Sequence, residues 1–291
     1  MYTNFSVRFI HLGIKIQNLP RTIHFFGFPI AIYGIIIGLS MLTAILVAEW
    51  NAKRVGDAPE IYTDAAVYGL IFGVIGARLY YVIFSWDYYK QDLIQIFNLR
   101  AGGLAIYGGI IFGLLAIYVY SRVKKLSFFR MVDTVCIGIV SGQILGRWGN
   151  FFNCEAFGDY TDGLFAMQIR KDLVEPSVIS TNLQNNIKLV EGIEYIQVHP
   201  TFLYESLWNI GVFCFLVWYT KRKKFDGEVL AFYFLLYGLG RFWIEGLRTD
   251  QLKFFSTGLA VSQCLSALLC ILGICAILLI RKKQVNSKVA V

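Results

Sequence analysis

The sequence has little charge. Only 16% of its 291 residues are Asp, Glu, Lys or Arg, against about 25% in ordinary soluble domains. With 57% hydrophobic and 16% aromatic residues, it is too apolar for a disordered chain and argues against a soluble globular one. The six cysteines, at 136, 154, 214, 264, 270 and 275, show no CxxC or Cys/His pairing. Neither a disulfide framework nor a metal site is indicated, and five of them read as small apolar residues buried in a membrane. No internal repeat or low-complexity tract stands out. The net charge of +8, from 27 Lys plus Arg against 19 Asp plus Glu, would suggest a nucleic-acid partner in a soluble protein. In so apolar a chain it reads instead as a topology signal, with no nucleic acid implied.

A membrane helix needs about 20 mostly apolar residues, and seven runs qualify, at roughly 25–48, 65–85, 101–120, 131–152, 200–220, 229–247 and 254–280. Basic clusters fall at Arg122 to Arg130, Lys221 to Lys224 and Arg281 to Lys283, all on one side of the expected spans. The bias of Lys and Arg toward the cytoplasm then puts the N-terminus outside and the C-terminus inside. The expected fold is an all-α polytopic membrane protein. An external segment covers 1–24, the first four helices 25–152, a small external cap 153–199, the last three helices 200–280 and a cytoplasmic tail 281–291. The cap is polar, as in ISTNLQNNIKLVEG, with β-leaning pieces FAMQI and EYIQV on either side. Glycines four apart, at 34 and 38, 69 and 73, 109 and 113, and 138, 142 and 146, suit close helix packing.

Charged side chains inside a bilayer are costly, and each one is a functional hypothesis competing with a buried structural ion pair. Counted by helical rise from the cytoplasmic ends, Arg78, Arg147 and Arg241 lie roughly 18–24 Å up their spans, in the outer half. Tyr33, Tyr107, Tyr204 and Glu205 come to a similar outer depth. Arg241, Glu245 and Arg248 are spaced i, i+4, i+7 and share one helical face. The fourth span ends in GRWGNFFNCEAFG, which crowds Arg147, Asn150, Asn153 and Glu155 between glycines.

Guanidinium groups grip phosphate with paired hydrogen bonds and keep their proton when desolvated. The expected ligand is therefore a phosphate-bearing amphiphile reached from the outer leaflet. A transporter or receptor for an anionic amphiphile is the alternative, since polytopic spans with buried charge also describe an anion pathway. A non-catalytic lipid-binding scaffold is a third reading.

GRWGNFFNCEAFG, Gly146 to Gly158, looks like the signature G-R-x-G-N-F-x-N-x-E-x-x-G, matched at every fixed position. Further similar pieces run in order along the chain: AIYGI at 31–35, GARLYYV at 76–82, GGLAIYGG at 102–109, HPTFLYES at 199–206 and YGLGRFWIEGLRTD at 237–250. On these residues the chain resembles the bacterial prolipoprotein diacylglyceryl transferases along nearly its whole length.

The resemblance implies an enzyme of the bacterial cytoplasmic membrane. It would transfer the diacylglyceryl group of phosphatidylglycerol to the lipobox cysteine of a preprolipoprotein signal peptide and release glycerol 1-phosphate. No metal or organic cofactor is implied. Carried over, Arg147 and Arg241 resemble the essential arginines that hold the headgroup phosphate. Asn150 contacts the headgroup, and Glu155 orients Arg147 or a substrate hydroxyl. Glu245 and Arg248 position Arg241. Tyr33 and Arg78 line the lipid pocket, with a packing role equally open for Arg78.

There is one departure from the pattern. Where some members carry a histidine proposed as the base for the thiol, this sequence has Tyr107, a phenol with an ordinary pKa of about 10. An electrostatic route is then favoured, in which the arginines lower the pKa of the incoming thiol, and Tyr107 orients a group by hydrogen bonding. His24 is expected at the outer mouth of the first span and His199 as a cap on the fifth. Cys154, at a variable position of the signature, is expected to be a bystander.

Overall fold

The computed structural model describes residues 5–99, 102–253 and 258–289, side chains after Gln284 excepted. Most of the described chain is helix: α1 Ile32–Val55, α2 Glu60–Phe84, α3 Trp86–Tyr89, α4 Ile106–Val123, α5 Phe128–Asn153, α6 Thr181–Asn185, α7 Thr201–Thr220, α8 Glu228–Leu247 and α9 Val261–Val289. Among the described residues six helices are long and apolar enough to cross a membrane, namely α1, α2, α4, α5, α7 and α9. The protein is a multi-pass membrane protein. The expected sixth span forms as the 20-residue α8 but is not one of the six; Arg241 and Glu245 lie within it.

Three expectations are corrected. The first helix starts at Ile32 and not at 25, because β3 Thr22–Phe25 and β4 Phe28–Ala31 form a hairpin just ahead of it. Phe26 at φ 49° and Gly27 at φ 82° make the two-residue turn, where only left-handed backbone matches the strand twist. The seventh span, expected from 254, begins at Val261, and residues 254–257 lie outside the described residues. The same helix continues through 281–289, where a tail was expected.

The chain is also not all-α. A five-stranded antiparallel sheet has the order β2-β1-β5-β7-β6. Its strands are β1 Val7–Phe9, β2 Ile14–Ile16, β5 Met167–Arg170, β6 Lys188–Val190 and β7 Ile193–Val198. The two β-leaning pieces supply β5 and β7. The N-terminal segment pairs with them, Val7 opposite Ile169, so what read as separate segments share one sheet. That pairing joins residues about 160 apart, which no local pattern announces.

Contacts divide the chain into two compact units, residues 1–44 with 137–291 and residues 45–136. In the first, the sheet's apolar side chains Val7, Ile169, Ile196 and Val198 bury against Phe151 at the end of α5 and Phe202 at the start of α7. Each such aliphatic side chain contributes about 1.5–3 kcal/mol, and together they fix the helix ends that carry the signature. In the second, α2 and α4 pack through their glycines. A Cβ on Gly113 would lie 3.3 Å from the Gly69 carbonyl oxygen, and one on Gly73 3.4 Å from that of Gly109. Gly142, in the first unit, is tighter still: a Cβ there would lie 2.8 Å from the Ser40 carbonyl oxygen of α1. Gly34 and Gly38 do not follow the expected pattern, since nothing lies within 4 Å of a Cβ at either.

Candidate active site

α5 carries Arg147 and Asn150 one turn apart. Past its last residue, Cys154 (φ 53°) and Ala156 (φ 57°) both adopt the left-handed conformation, which costs a residue with a Cβ roughly 1–2 kcal/mol. The bend is held from outside: Thr201 Oγ1 donates to the Ala156 carbonyl, and Glu155 N–H donates to the Asn150 carbonyl at 3.0 Å. This curl turns Glu155 back over its own helix, where Asn150 Nδ2 donates to Glu155 Oε1 at 2.9 Å. Glu155 therefore meets Asn150, and Arg147 is oriented by another group.

That group is Glu205 on α7. Its side chain is 5% exposed, and its two oxygens reach different helices: Oε2 lies 2.7 Å from Arg147 Nε and Oε1 2.7 Å from Arg241 Nη1. Arg241 in turn pairs through Nη2 with Glu245 at 2.5 Å. Glu245 lies 3.8 Å from Arg248 and accepts from Ser262 of α9 at 2.7 Å. Arg248 closes the row with two parallel hydrogen bonds to Asp250, at 2.9 and 2.7 Å. Arginines and carboxylates alternate along the row Arg147, Glu205, Arg241, Glu245, Arg248, Asp250, and their formal charges cancel. Such balance allows charged groups to stay ionised in a low-dielectric surrounding. Arg147 is the open end of the row: its two terminal nitrogens have no partner among the described residues, and its side chain is 21% exposed.

The surrounding backbone pins this end of the bundle. Gly158 N–H donates to the His199 carbonyl and Asp159 N–H to the Leu247 carbonyl, each at 2.9 Å. The exit of α5 is thereby stitched between the start of α7 and the end of α8. A Cβ on Gly158 would stand 2.7 Å from that of His199, so only glycine fits. Tyr33 of α1 lays its ring against Gly149, where a Cβ would come within 2.9 Å of a ring carbon. The signature glycine thus gives the Tyr33 ring its place on α5.

His199 does not cap α7, whose first turn receives no side-chain cap. Its Nδ1 is 3.2 Å from the Tyr204 hydroxyl, and Tyr204 stacks on Trp243. Burial pulls the His199 imidazole below its ordinary pKa, with Asp159 pulling the other way. Cys154 is buried, and burial pushes its thiol up in pKa against the pull of Arg21. That environment disfavours the thiolate.

Arg78 and Tyr107 belong to the second unit. Arg78 is 6% exposed and directs its donors at the loop leading to α4. Nε donates to the Ile96 carbonyl at 2.7 Å, and Nη1 to those of Gly102 and Gly103 at 2.7 and 3.0 Å. Nη2 faces the carbonyls of Gln95 and Asn98. Tyr107, on α4, is 43% exposed. A cavity of about 830 Å³ opens beside the sheet and is lined by groups such as Arg21, Arg170, Asp172 and Glu194. None of the arginine row lines it. Among the described residues no group of His, Cys, Asp and Glu is arranged to hold a metal ion.

Comparison with known proteins agrees with the signature. A family model described as prolipoprotein diacylglyceryl transferase matches residues 20–279. The chain is 42% identical over 262 residues to the phosphatidylglycerol–prolipoprotein diacylglyceryl transferase of Clostridioides difficile, covering 90% of this chain and 95% of that one. It is 43% identical to the like-named protein of Clostridium botulinum (strain Langeland), covering 91% and 98%. To that of Finegoldia magna it is 40% identical, covering 90% and 96%. The chain belongs to the prolipoprotein diacylglyceryl transferase family. In this member of that family, the structure brings Tyr33, Arg147, Asn150, Glu155, Arg241, Glu245 and Arg248 into one unit. Glu205, which the sequence showed at the right depth within HPTFLYES, joins its two arginines.

Proposed function

We propose that this protein transfers the diacylglyceryl group of phosphatidylglycerol to the lipobox cysteine of a preprolipoprotein. The observation that carries the reading is the pairing of Arg147 and Arg241 through one carboxylate, with the terminal nitrogens of Arg147 left open. The open edge of Arg147 takes the phosphodiester, and Arg241 stands behind Glu205 to hold it there. Attack by the thiolate sulfur on the glycerol carbon next to phosphate forms the C–S bond and breaks the C–O bond. The electron pair leaves with glycerol 1-phosphate, whose extra negative charge the arginines stabilise more strongly than that of the diester.

Asn150, held by Glu155, faces the headgroup, and Tyr33 walls the site. Glu245 and Arg248 keep Arg241 in place. Arg78 takes a supporting role, holding the loop before α4 by its backbone. Tyr107 orients a group without serving as base, and the thiol, its pKa lowered by the field of the arginines, gives its proton to water before the thiolate attacks.

In this reading all seven long helices cross the cytoplasmic membrane of a bacterium, the N-terminus outside and the C-terminus inside. α8 crosses because Arg241 and Glu245 are paired, and its 20 residues span about 30 Å. The sheet is the external cap, and the site opens toward the outer leaflet. The basic residues after α4 and α7 and in the C-terminal part of α9 support that orientation.

The test is to incubate the purified protein with phosphatidylglycerol vesicles and a lipobox peptide and to weigh the peptide. A diacylglyceryl-sized gain on cysteine is expected. No gain, where an established transferase modifies the same peptide, overturns the proposal.

A further inference from the structure

The second unit holds a hollow that the transfer reaction does not use. A cavity of about 430 Å³ lies along α2 and α4. On α4 its wall is Phe112, Leu115, Ala116, Val119 and Val123, spaced i, i+3, i+4, i+7 and i+11, a single helical face. Tyr68 and Phe72 of α2 form the other side. Ala116 stands mid-stripe, where a small side chain leaves the wall concave. The floor is firm: Tyr120 is 7% exposed, and its hydroxyl donates to Asp64 at 2.9 Å.

Both helices are long and apolar enough to cross a membrane, so acyl chains are the neighbours available to this face. The lining has one charged residue, Lys124, at the C-terminal end of the groove. Its ammonium is 5.7 Å from the Tyr120 ring centroid, and Arg122 and Lys125 flank it in sequence. From Phe112 to Lys124 the helical rise is about 18 Å, close to half of a hydrocarbon core of about 30 Å. One acyl chain lying in the groove places its headgroup phosphate beside Lys124. Basic pockets between membrane helices recognise anionic headgroups in this way.

We propose that the α2–α4 groove is a binding site for one chain of an anionic phospholipid, its phosphate held by Lys124. The site lies in the leaflet at the Lys124 end of α4, and none of the arginine row lines it. The inference rests on α2 and α4 crossing the membrane, and not on the transfer chemistry.

The test uses the full-length protein in mixed vesicles of phosphatidylcholine and phosphatidic acid, an anionic lipid without the glycerol headgroup. Bound lipid is counted by native mass spectrometry after gentle extraction. Wild type should retain phosphatidic acid in preference to phosphatidylcholine. Lys124→Glu and Ala116→Trp should each lower the retained population at least fivefold, while Lys124→Arg keeps it. Equal retention of both lipids by wild type, or wild-type retention of phosphatidic acid by both Lys124→Glu and Ala116→Trp, overturns the proposal. Diacylglyceryl transfer by Lys124→Glu, measured alongside, reports separately on the transfer reading and on folding.

Discussion

Glu205 Oε2 lies 2.7 Å from Arg147 Nε, and the carboxylate that makes this contact is almost wholly buried. Because its other oxygen meets Arg241, a single negative charge keeps two arginines from repelling each other. Glu205→Gln preserves the shape and removes that charge. Breaking a buried pair in this way costs about 3–5 kcal/mol, so the variant should melt at lower temperature and transfer at least a hundredfold more slowly. Glu205→Asp should recover part of the rate. Transfer at wild-type speed by Glu205→Gln would remove the bridge from the account.

Asn150 and Glu155 form a closed pair at 2.9 Å. Groups that act as one unit are not additive, so Asn150→Ala, Glu155→Ala and the double variant should lose similar amounts of activity. A coupling of about 1 kcal/mol or more is expected from the cycle. Additive losses would mean that Glu155 works through some other partner.

Tyr33 rests on Gly149 with no room for a methyl group, a Cβ falling 2.9 Å from the ring. Gly149→Ala must therefore push the ring aside and should slow transfer about tenfold, roughly 1.4 kcal/mol. Tyr33→Ala combined with Gly149→Ala should be no slower than Tyr33→Ala alone. A further loss in the double variant would show that Gly149 serves something besides Tyr33.

Arg78 faces backbone carbonyls with Nε, Nη1 and Nη2. Replacing it strands those carbonyls, and each unsatisfied group costs about 1–3 kcal/mol when buried. Arg78→Ala should make the segment 92–99 sensitive to limited proteolysis, and Arg78→Lys should not rescue it, since an ammonium lacks the planar fork. An unchanged digestion pattern would return Arg78 to the lipid pocket. Tyr107→Phe removes an orienting hydrogen bond and should slow transfer by about 1 kcal/mol, roughly fivefold, and a loss of about a hundredfold or more would make the hydroxyl part of the chemistry.

The helices were legible because their apolar runs are long, and the row Arg241, Glu245, Arg248 because 3.6-residue periodicity puts those residues on one face. Glu205 was visible at the right depth, but its partners sit on two other helices, and the angle between helices is not written in either one. The resemblance implied that Glu155 orients Arg147 or a substrate hydroxyl. The left-handed backbone at Cys154 and Ala156 turns it instead toward Asn150, and non-glycine residues give no sign of that conformation. The hairpin ahead of α1 was hidden within a hydrophobic run, where only Gly27 and Pro29 mark the turn. The sheet was half legible: FAMQI and EYIQV lean toward strand by composition, whereas β1 and β2 join them from the far end of the chain.

In the proposed transfer, Arg147 and Arg241 act on the phosphate that leaves. The direct measurement counts glycerol phosphate released per cysteine modified, in wild type and in Arg147→Ala and Arg241→Ala proteins that remain folded and inserted. One glycerol phosphate per thioether is expected from wild type, with both products lost together in each variant. Cysteine modification without glycerol phosphate, or undiminished release from either arginine variant, would contradict it.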